Sequence, residues 1–288
     1  MINELGVVLI SGMSNGAVYA MMAVGMALVY GVSKVFNFAY GSFYSLGGYL
    51  AFLLFASKFP YPLVFACAIP ALFAIGLGTE RLVLRPLRRK KDWEMLVVMS
   101  TLGLALFLDN LYLALFGPFV KALPPLFEAK LGFGAIVMSV QDIAVFFISI
   151  AIVIGVWLFL NRTRQGLAMQ AVAQDMVGAE IVGIPKDRIF AYTFAISTVL
   201  VGLGGILLAP KYFVSNFGGW DILIKAWVIT AFGGMGSIMG AVYAAFILGI
   251  IEALVGWQFG FTWTMVAWFT VLVIIFIVRP QGLLGRWG

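Results

Sequence analysis

Long apolar runs separated by short polar breaks organise this chain from end to end. They cover approximately 5–32, 41–57, 60–79, 95–117, 136–160, 189–210, 222–257 and 261–278. A helix crosses a hydrocarbon core of about 30 Å with about 20 apolar residues, so these runs predict membrane helices. Pro60, Pro62, Pro118, Pro124, Pro125 and Pro185 fall in or beside the breaks, where a missing N–H costs least. The run 222–257 would be about 54 Å long as one helix, and Gly233-Gly234-Met235-Gly236-Ser237 interrupts it. It reads as two short helical pieces meeting at that break. The expected fold is an all-α, polytopic membrane bundle of about eight apolar stretches, one split into two half-helices, in a single domain over 1–288.

Composition removes the soluble alternative. Apolar residues make up 63% of the chain and charged residues 10%, against about 45–50% and 25% in soluble domains. There is no His, which excludes Ser-His-Asp and Cys-His nucleophilic sites and the usual zinc sites. Cys67 is the single cysteine, so no disulfide framework or thiolate cluster is available, and no metal site is expected. No Lys follows a Gly, so the phosphate loop of ATPases is absent. Any ATP this protein uses is hydrolysed by another chain.

The net charge of +6 is unevenly placed. Glu80–Glu94, Asn161–Arg188 and Arg279–Gly288 hold all nine Arg and 12 of the 18 basic residues, while the remaining chain balances to zero. Clustering of basic residues in a few inter-span segments marks the cytoplasmic side, and argues against a surface for nucleic acid. Met1-Ile2-Asn3-Glu4 carries no basic residue, so the first run reads as a retained span entering from outside rather than a cleaved signal. From an external N-terminus, three crossings place 80–94 inside and five place 161–188 inside. Arg279 and Arg286 place the C-terminus in the cytoplasm once 222–257 is split.

Glycine-interrupted membrane helices in the two halves of a chain point to a transport path. Asn37, Tyr40, Gly41 and Ser42 form one such interruption, and Gly233, Gly234, Gly236 and Ser237 the other. At each, a half-helix N-terminus would present N–H groups to a carboxylate. Close helix packing is the ordinary alternative, above all for Gly12 and Gly16 at G-x-x-x-G spacing. Asp109, Lys225 and Glu252 are embedded charges and functional candidates because they are costly. For Asp109, snorkelling or a structural partner in Asn110 or Lys225 is the plainer reading.

Within Asn161–Arg188, Met169, Val172, Met176, Ala179 and Gly183 recur at three- and four-residue steps, predicting one amphipathic helix over about 165–184. Residues 165–185 contain no Lys or Arg, which favours docking into a protein groove over adsorption to lipid headgroups.

These motifs, in this order, resemble the permease subunits of branched-chain amino acid ABC importers over essentially the whole chain. The residues that carry the resemblance are Asn37-Phe38-Ala39-Tyr40-Gly41, Ala171-Val172-Ala173-Gln174-Asp175 with Gly183-Ile184, and Gly202–Pro210. Lys225-Ala226, Gly233–Ala241 and Arg279-Pro280-Gln281-Gly282-Leu283-Leu284-Gly285 complete the set. The resemblance implies import of leucine, isoleucine or valine in the cell inner membrane. It implies as partners a second permease (identical or related), two cytoplasmic ATPase subunits and an external substrate-binding protein. ATP would be used by the partners alone, with no cofactor or catalysis in this chain. The 161–188 loop, with Met169, Val172, Asp175, Met176, Ala179 and Gly183, would couple the ATPases to the bundle. Relatives commonly carry His-Gly and then an acidic or amide residue where this chain has Tyr40-Gly41-Ser42, which leaves urea, short amides and aromatic carboxylates as alternative substrates. An ion-coupled carrier is the alternative mechanism, with Asp109 its strongest candidate ligand. An integral-membrane enzyme lacks a polar catalytic cluster.

Overall fold

A computed structural model describes residues 2–127, 129–133 and 136–285. The chain runs α1 (Ile2–Ser33), α2 (Tyr40–Ala56) and α3 (Tyr61–Thr79), which continues through a π-helical turn at Glu80–Leu84 into α4 (Arg85–Leu87). After α5 (Trp93–Phe116), strands β1 (Lys130–Phe133) and β2 (Ile136–Ser139) pair antiparallel, with Lys130 opposite Ser139. There follow α6 (Val140–Arg162), α7 (Arg164–Gln174), α8 (Met176–Ile181), α9 (Lys186–Tyr212), α10 (Gly219–Gly233), α11 (Ile238–Phe259), a 3₁₀ turn and α12 (Thr264–Val278). Among the described residues seven helices are long and apolar enough to cross a membrane; α2, with 17 residues, and α10, with 15, are shorter.

The all-helical expectation holds, with three corrections. The split in 222–257 is present, but α11 has 22 residues, about 33 Å at helical rise. Only α10 is a short piece. The apolar run from 136 opens as strand β2 rather than as helix, since its first four residues pair with β1. The 80–94 segment begins not as a loop but as a continuation of α3, because the side chain of Glu80 finds partners in the interior. Arg286, part of the C-terminal charge signal, lies outside the described residues.

The chain divides into two compact units, Met1–Ala27, Pro125–Gly155 and Lys225–Gly288 forming one and Leu28–Pro124 with Val156–Ile224 the other. In the first, Gly12 and Gly16 of α1 sit against the backbone of α11 around Ala245, Gly249 and Ile250. This is the close packing that their spacing predicts. In the second, α2 and α3 pack on α9. A Cβ at Gly47 would overlap the Gly202 backbone, and one at Gly205 the Tyr44 carbonyl. Of the α9 span 83% is buried, against 11% for the last span. A hydrophobic helix this enclosed is core, whereas the last span leaves most of its side chains exposed on the chain's surface.

Candidate functional site

Four polar clusters sit within this apolar frame. The first lies where α1 gives way to α2. Asn37 is buried, and its Oδ1 accepts from the Ala39 N–H at 3.0 Å while its carbonyl accepts from Tyr40 N–H at 3.3 Å. This local turn is the one that Asn favours. Thr101 of α5 accepts from the Phe38 N–H at 3.2 Å. Tyr40 is fully buried, and Gly41 lies so close to Gly219 that any Cβ would overlap its carbonyl. Ser42 donates to Oδ1 of Asp109 at 2.7 Å, and Trp220 Nε1 donates to its Oδ2 at 2.8 Å. Asp109 is 1% exposed, so these two charge-assisted bonds offset the loss of its hydration. Tyr112 donates to the Ser42 carbonyl at 3.1 Å, and Tyr49 bonds Asn216, whose amide donates to the Gly117 carbonyl.

The expected partners of Asp109 are therefore corrected. Asn110 donates instead to the Leu106 carbonyl at 2.7 Å, because adjacent helical residues point about 100° apart. Replacing Asp109 by Leu strands the Trp220 and Ser42 donors in the interior. A loss of about 1–3 kcal/mol is expected, read as a lower unfolding midpoint in detergent. Asp109→Asn, which keeps one acceptor, should fall between. Equal midpoints for all three proteins would assign this network no structural weight.

A small cavity of about 30 Å³ opens beside this turn, lined among others by Val32, Asn37, Glu80, Arg88, Thr101 and Thr193. Glu80 is 0% exposed and accepts from Arg88 and, at 3.4 Å, from Arg85. Arg88 also reaches Asp187 at 3.4 Å and lies 4.0 Å over the Phe190 ring. A buried carboxylate persists only with such partners. Charge counting along the sequence reads this stretch as a basic cytoplasmic segment; nothing in its local order shows that Glu80 turns inward toward Arg88.

In the other unit Lys225 of α10 donates to Glu252 of α11 at 2.6 Å and to the Tyr19 hydroxyl of α1 at 2.9 Å. It lies 5.4 Å from the Trp268 ring of α12, and Tyr19 and Trp268 meet edge to face at 5.6 Å. Two embedded charges that stand 27 positions apart in sequence thus form one ion pair walled by aromatic rings. The glycine break lies in the same unit. Gly234 and Gly236 adopt φ of +104° and +83°, where a Cβ is strained. Ser237 caps α11 by accepting from the Gly240 N–H at 3.2 Å. The Phe232 and Gly233 carbonyls accept from Leu283 and Leu284 at 2.8 and 3.0 Å. The break is clasped by the chain's own tail, and Gly233 touches Gly240 backbone to backbone.

The 161–188 segment is not one helix. Asp175 leaves α7 in extended conformation and caps α8, its Oδ1 accepting from Val177 and Gly178 N–H at 3.0 Å each. An Asp favours such a cap over a helix interior. Thr163 caps α7, and Gly166 lets it turn tightly onto the end of α6, where a Cβ would strike Phe159 and Leu160. Met169, Val172 and Ala179 are buried within the chain and Met176 is half-buried. The expected docking face is thus turned inward. The exposed apolar side chains are Leu167, Val177, Ile181 and Val182, at 52%, 69%, 81% and 75%. Val177 and Ile181 stand four apart, so their shared face was visible in the sequence; which of two apolar faces packs inward was not. Gly183, at φ +85°, ends the segment.

Comparison with known proteins accords with this architecture. Residues 8–278 match the family described as branched-chain amino acid transport system / permease component. The chain is 33% identical to the high-affinity branched-chain amino acid transport system permease protein BraD of Pseudomonas aeruginosa, across 96% of this chain and 95% of that one. It is 32% identical to the corresponding LivH protein of Escherichia coli, across 96% and 94%. Among solved structures, PsaBC from Streptococcus pneumoniae in complex with Fab shares the fold, with a TM-score of 0.52 at 16% identity over 98% of this chain and 97% of that one.

Proposed function

The chain belongs to the branched-chain amino acid permease family, and from that membership we propose how it works. It is the multi-pass, non-catalytic permease component of an ATP-driven importer of branched-chain amino acids, and ATP hydrolysis and substrate capture lie in separate subunits. Its location is the cell inner membrane, beside a second permease subunit. The N-terminus is external, and 80–94, 161–188 and the tail are cytoplasmic. Contacts within the second unit support this sidedness. Lys34 reaches the Ala173 carbonyl and Arg88 reaches Asp187, joining segments assigned inside. Tyr61 bonds the Pro124 carbonyl and Lys121 pairs with Val214, joining segments assigned outside. Asn37, Tyr40, Gly41 and Ser42, together with Gly233–Ser237, remain the candidate path elements, the first group bordering the Glu80 cavity through Asn37.

The observation that carries the coupling role is the exposed apolar face of α7 and α8. Leu167 on α7 and Val177, Ile181 and Val182 at α8 are exposed apolar side chains, which water alone does not favour, and Asp175 and Glu180 are exposed between them in sequence. We assign the ATPase contact to these side chains rather than to Met169, Val172 and Ala179, whose burial makes them the base that holds the face in place. Val177→Asp with Ile181→Asp should abolish ATP-driven uptake into proteoliposomes, with the bundle's unfolding midpoint unchanged. Wild-type uptake by this variant would remove the segment from coupling.

An ion-coupled carrier needs free embedded ligands. Asp109 is held by Ser42 and Trp220, and Glu252 by Lys225, which favours the ATP-driven reading. Uptake that ignores ATP but follows an imposed ion gradient would reverse that preference.

A further inference from the structure

A second opening lies at the same end of the second unit, between the continuation of α3 and the start of α9. This open groove of about 630 Å³ is bordered by Leu77, Arg81, Arg85, Asp187, Arg188 and Tyr192. Its charge is unbalanced. Arg85 is engaged by Glu80, and Asp187 by Arg88. The guanidiniums of Arg81 and Arg188 have no ion pair or hydrogen bond among the described residues and are exposed. Buried Nε of Arg85 likewise lacks an acceptor.

Depth identifies the environment. Arg81 follows Tyr61, the first residue of α3, by 20 positions, about 30 Å along a helix, which equals the hydrocarbon thickness. The groove therefore sits at the headgroup level, with apolar side chains on its bilayer side. Leu77 is one turn deeper, and Phe73 stacks with Tyr192 at 6.4 Å between centroids.

We propose that this groove is a binding site for an acidic phospholipid, whose phosphate is held by Arg81 and Arg188 and whose acyl chains lie along Leu77, Phe73 and Tyr192. Arginine suits a phosphate because its planar fork offers paired donors, and basic clefts between membrane helices recognise anionic headgroups. A soluble phosphate would share the headgroup chemistry but gain nothing from the apolar floor. The site depends only on the chain lying in a bilayer, so it stands or falls separately from the transported substrate.

The test uses the full chain in vesicles of phosphatidylcholine with a minor fraction of phosphatidylglycerol, extracted gently and weighed with its retained lipid by native mass spectrometry. Wild type should retain phosphatidylglycerol in preference to phosphatidylcholine, and excess inorganic phosphate should leave that retention unchanged. At about fivefold per arginine, Arg81→Gln with Arg188→Gln should lower retention roughly 25-fold. Arg81→Gln alone, at an exposed position, gives the intermediate value and guards against misfolding of the pair. Arg89→Gln, outside the groove, should retain lipid as wild type does. Equal retention of the two lipids, full retention by the double variant, or displacement by inorganic phosphate would each overturn the site.

Discussion

Replacing Lys225 by Met should cost this protein about 3–5 kcal/mol, because Glu252 is then left charged and unpaired in an apolar interior. Glu252 is 4% exposed, and its Oε2 has no partner among the described residues, so its charge depends on Lys225 and little else. The lysine also joins α10 and α11 to Tyr19 of α1 and Trp268 of α12. Its loss therefore loosens four helices at one point. Lys225→Met with Glu252→Leu removes both charges and keeps comparable volume, and should recover most of the loss, since a buried pair is often no better than apolar packing. Unfolding midpoints in detergent and yields of folded chain measure both. If the double variant is as unstable as Lys225→Met, the damage comes from packing rather than unpaired charge.

Gly47→Leu should be the most damaging substitution in the second unit. At Gly47 the obstruction is the Gly202 backbone itself, so α2 and α9 must separate for any side chain to enter. Overpacking in a closed core costs about 1–3 kcal/mol, and more where neighbours cannot yield. Gly103 and Gly155 face open space and provide the comparison. Leu at Gly103 or Gly155 should be neutral or slightly favourable, since a helical Gly gives up about 0.5–1 kcal/mol relative to Ala. Trypsin resistance and monodispersity in detergent separate the cases. Wild-type behaviour of Gly47→Leu would mean that the α2–α9 contact opens without cost.

Both predictions concern contacts that join distant parts of the chain, and the division between what was and was not legible follows from that. Span positions need only hydropathy over a local window, so they were readable, and so was the break at Gly233–Ser237, which no membrane-length helix could absorb. The family was readable from short motifs in fixed order. Packing of Gly12 and Gly16 followed from their spacing alone. The single helix over 165–184 is replaced by two because Asp175, a residue suited to capping, stands between them, and which of the segment's apolar residues pack inward is not legible from spacing.

The sequence by itself determined that this is a membrane bundle, approximately where its apolar spans run, which segments carry the positive charge, and that any ATP chemistry belongs elsewhere. Those properties depend on composition and on residues within a few turns of one another. Tertiary structure alone decided the partners of the costly groups: Lys225 with Glu252 across 27 positions, Asp109 with Trp220 across 111, and Arg88 with Asp187 across 99. It alone also decided which apolar stripe of α7 and α8 faces inward. The reason is physical. A buried charge requires a partner, but every embedded charge in a sequence requires one equally, and only the packing of helices brings a particular donor within hydrogen-bond reach of a particular carboxylate.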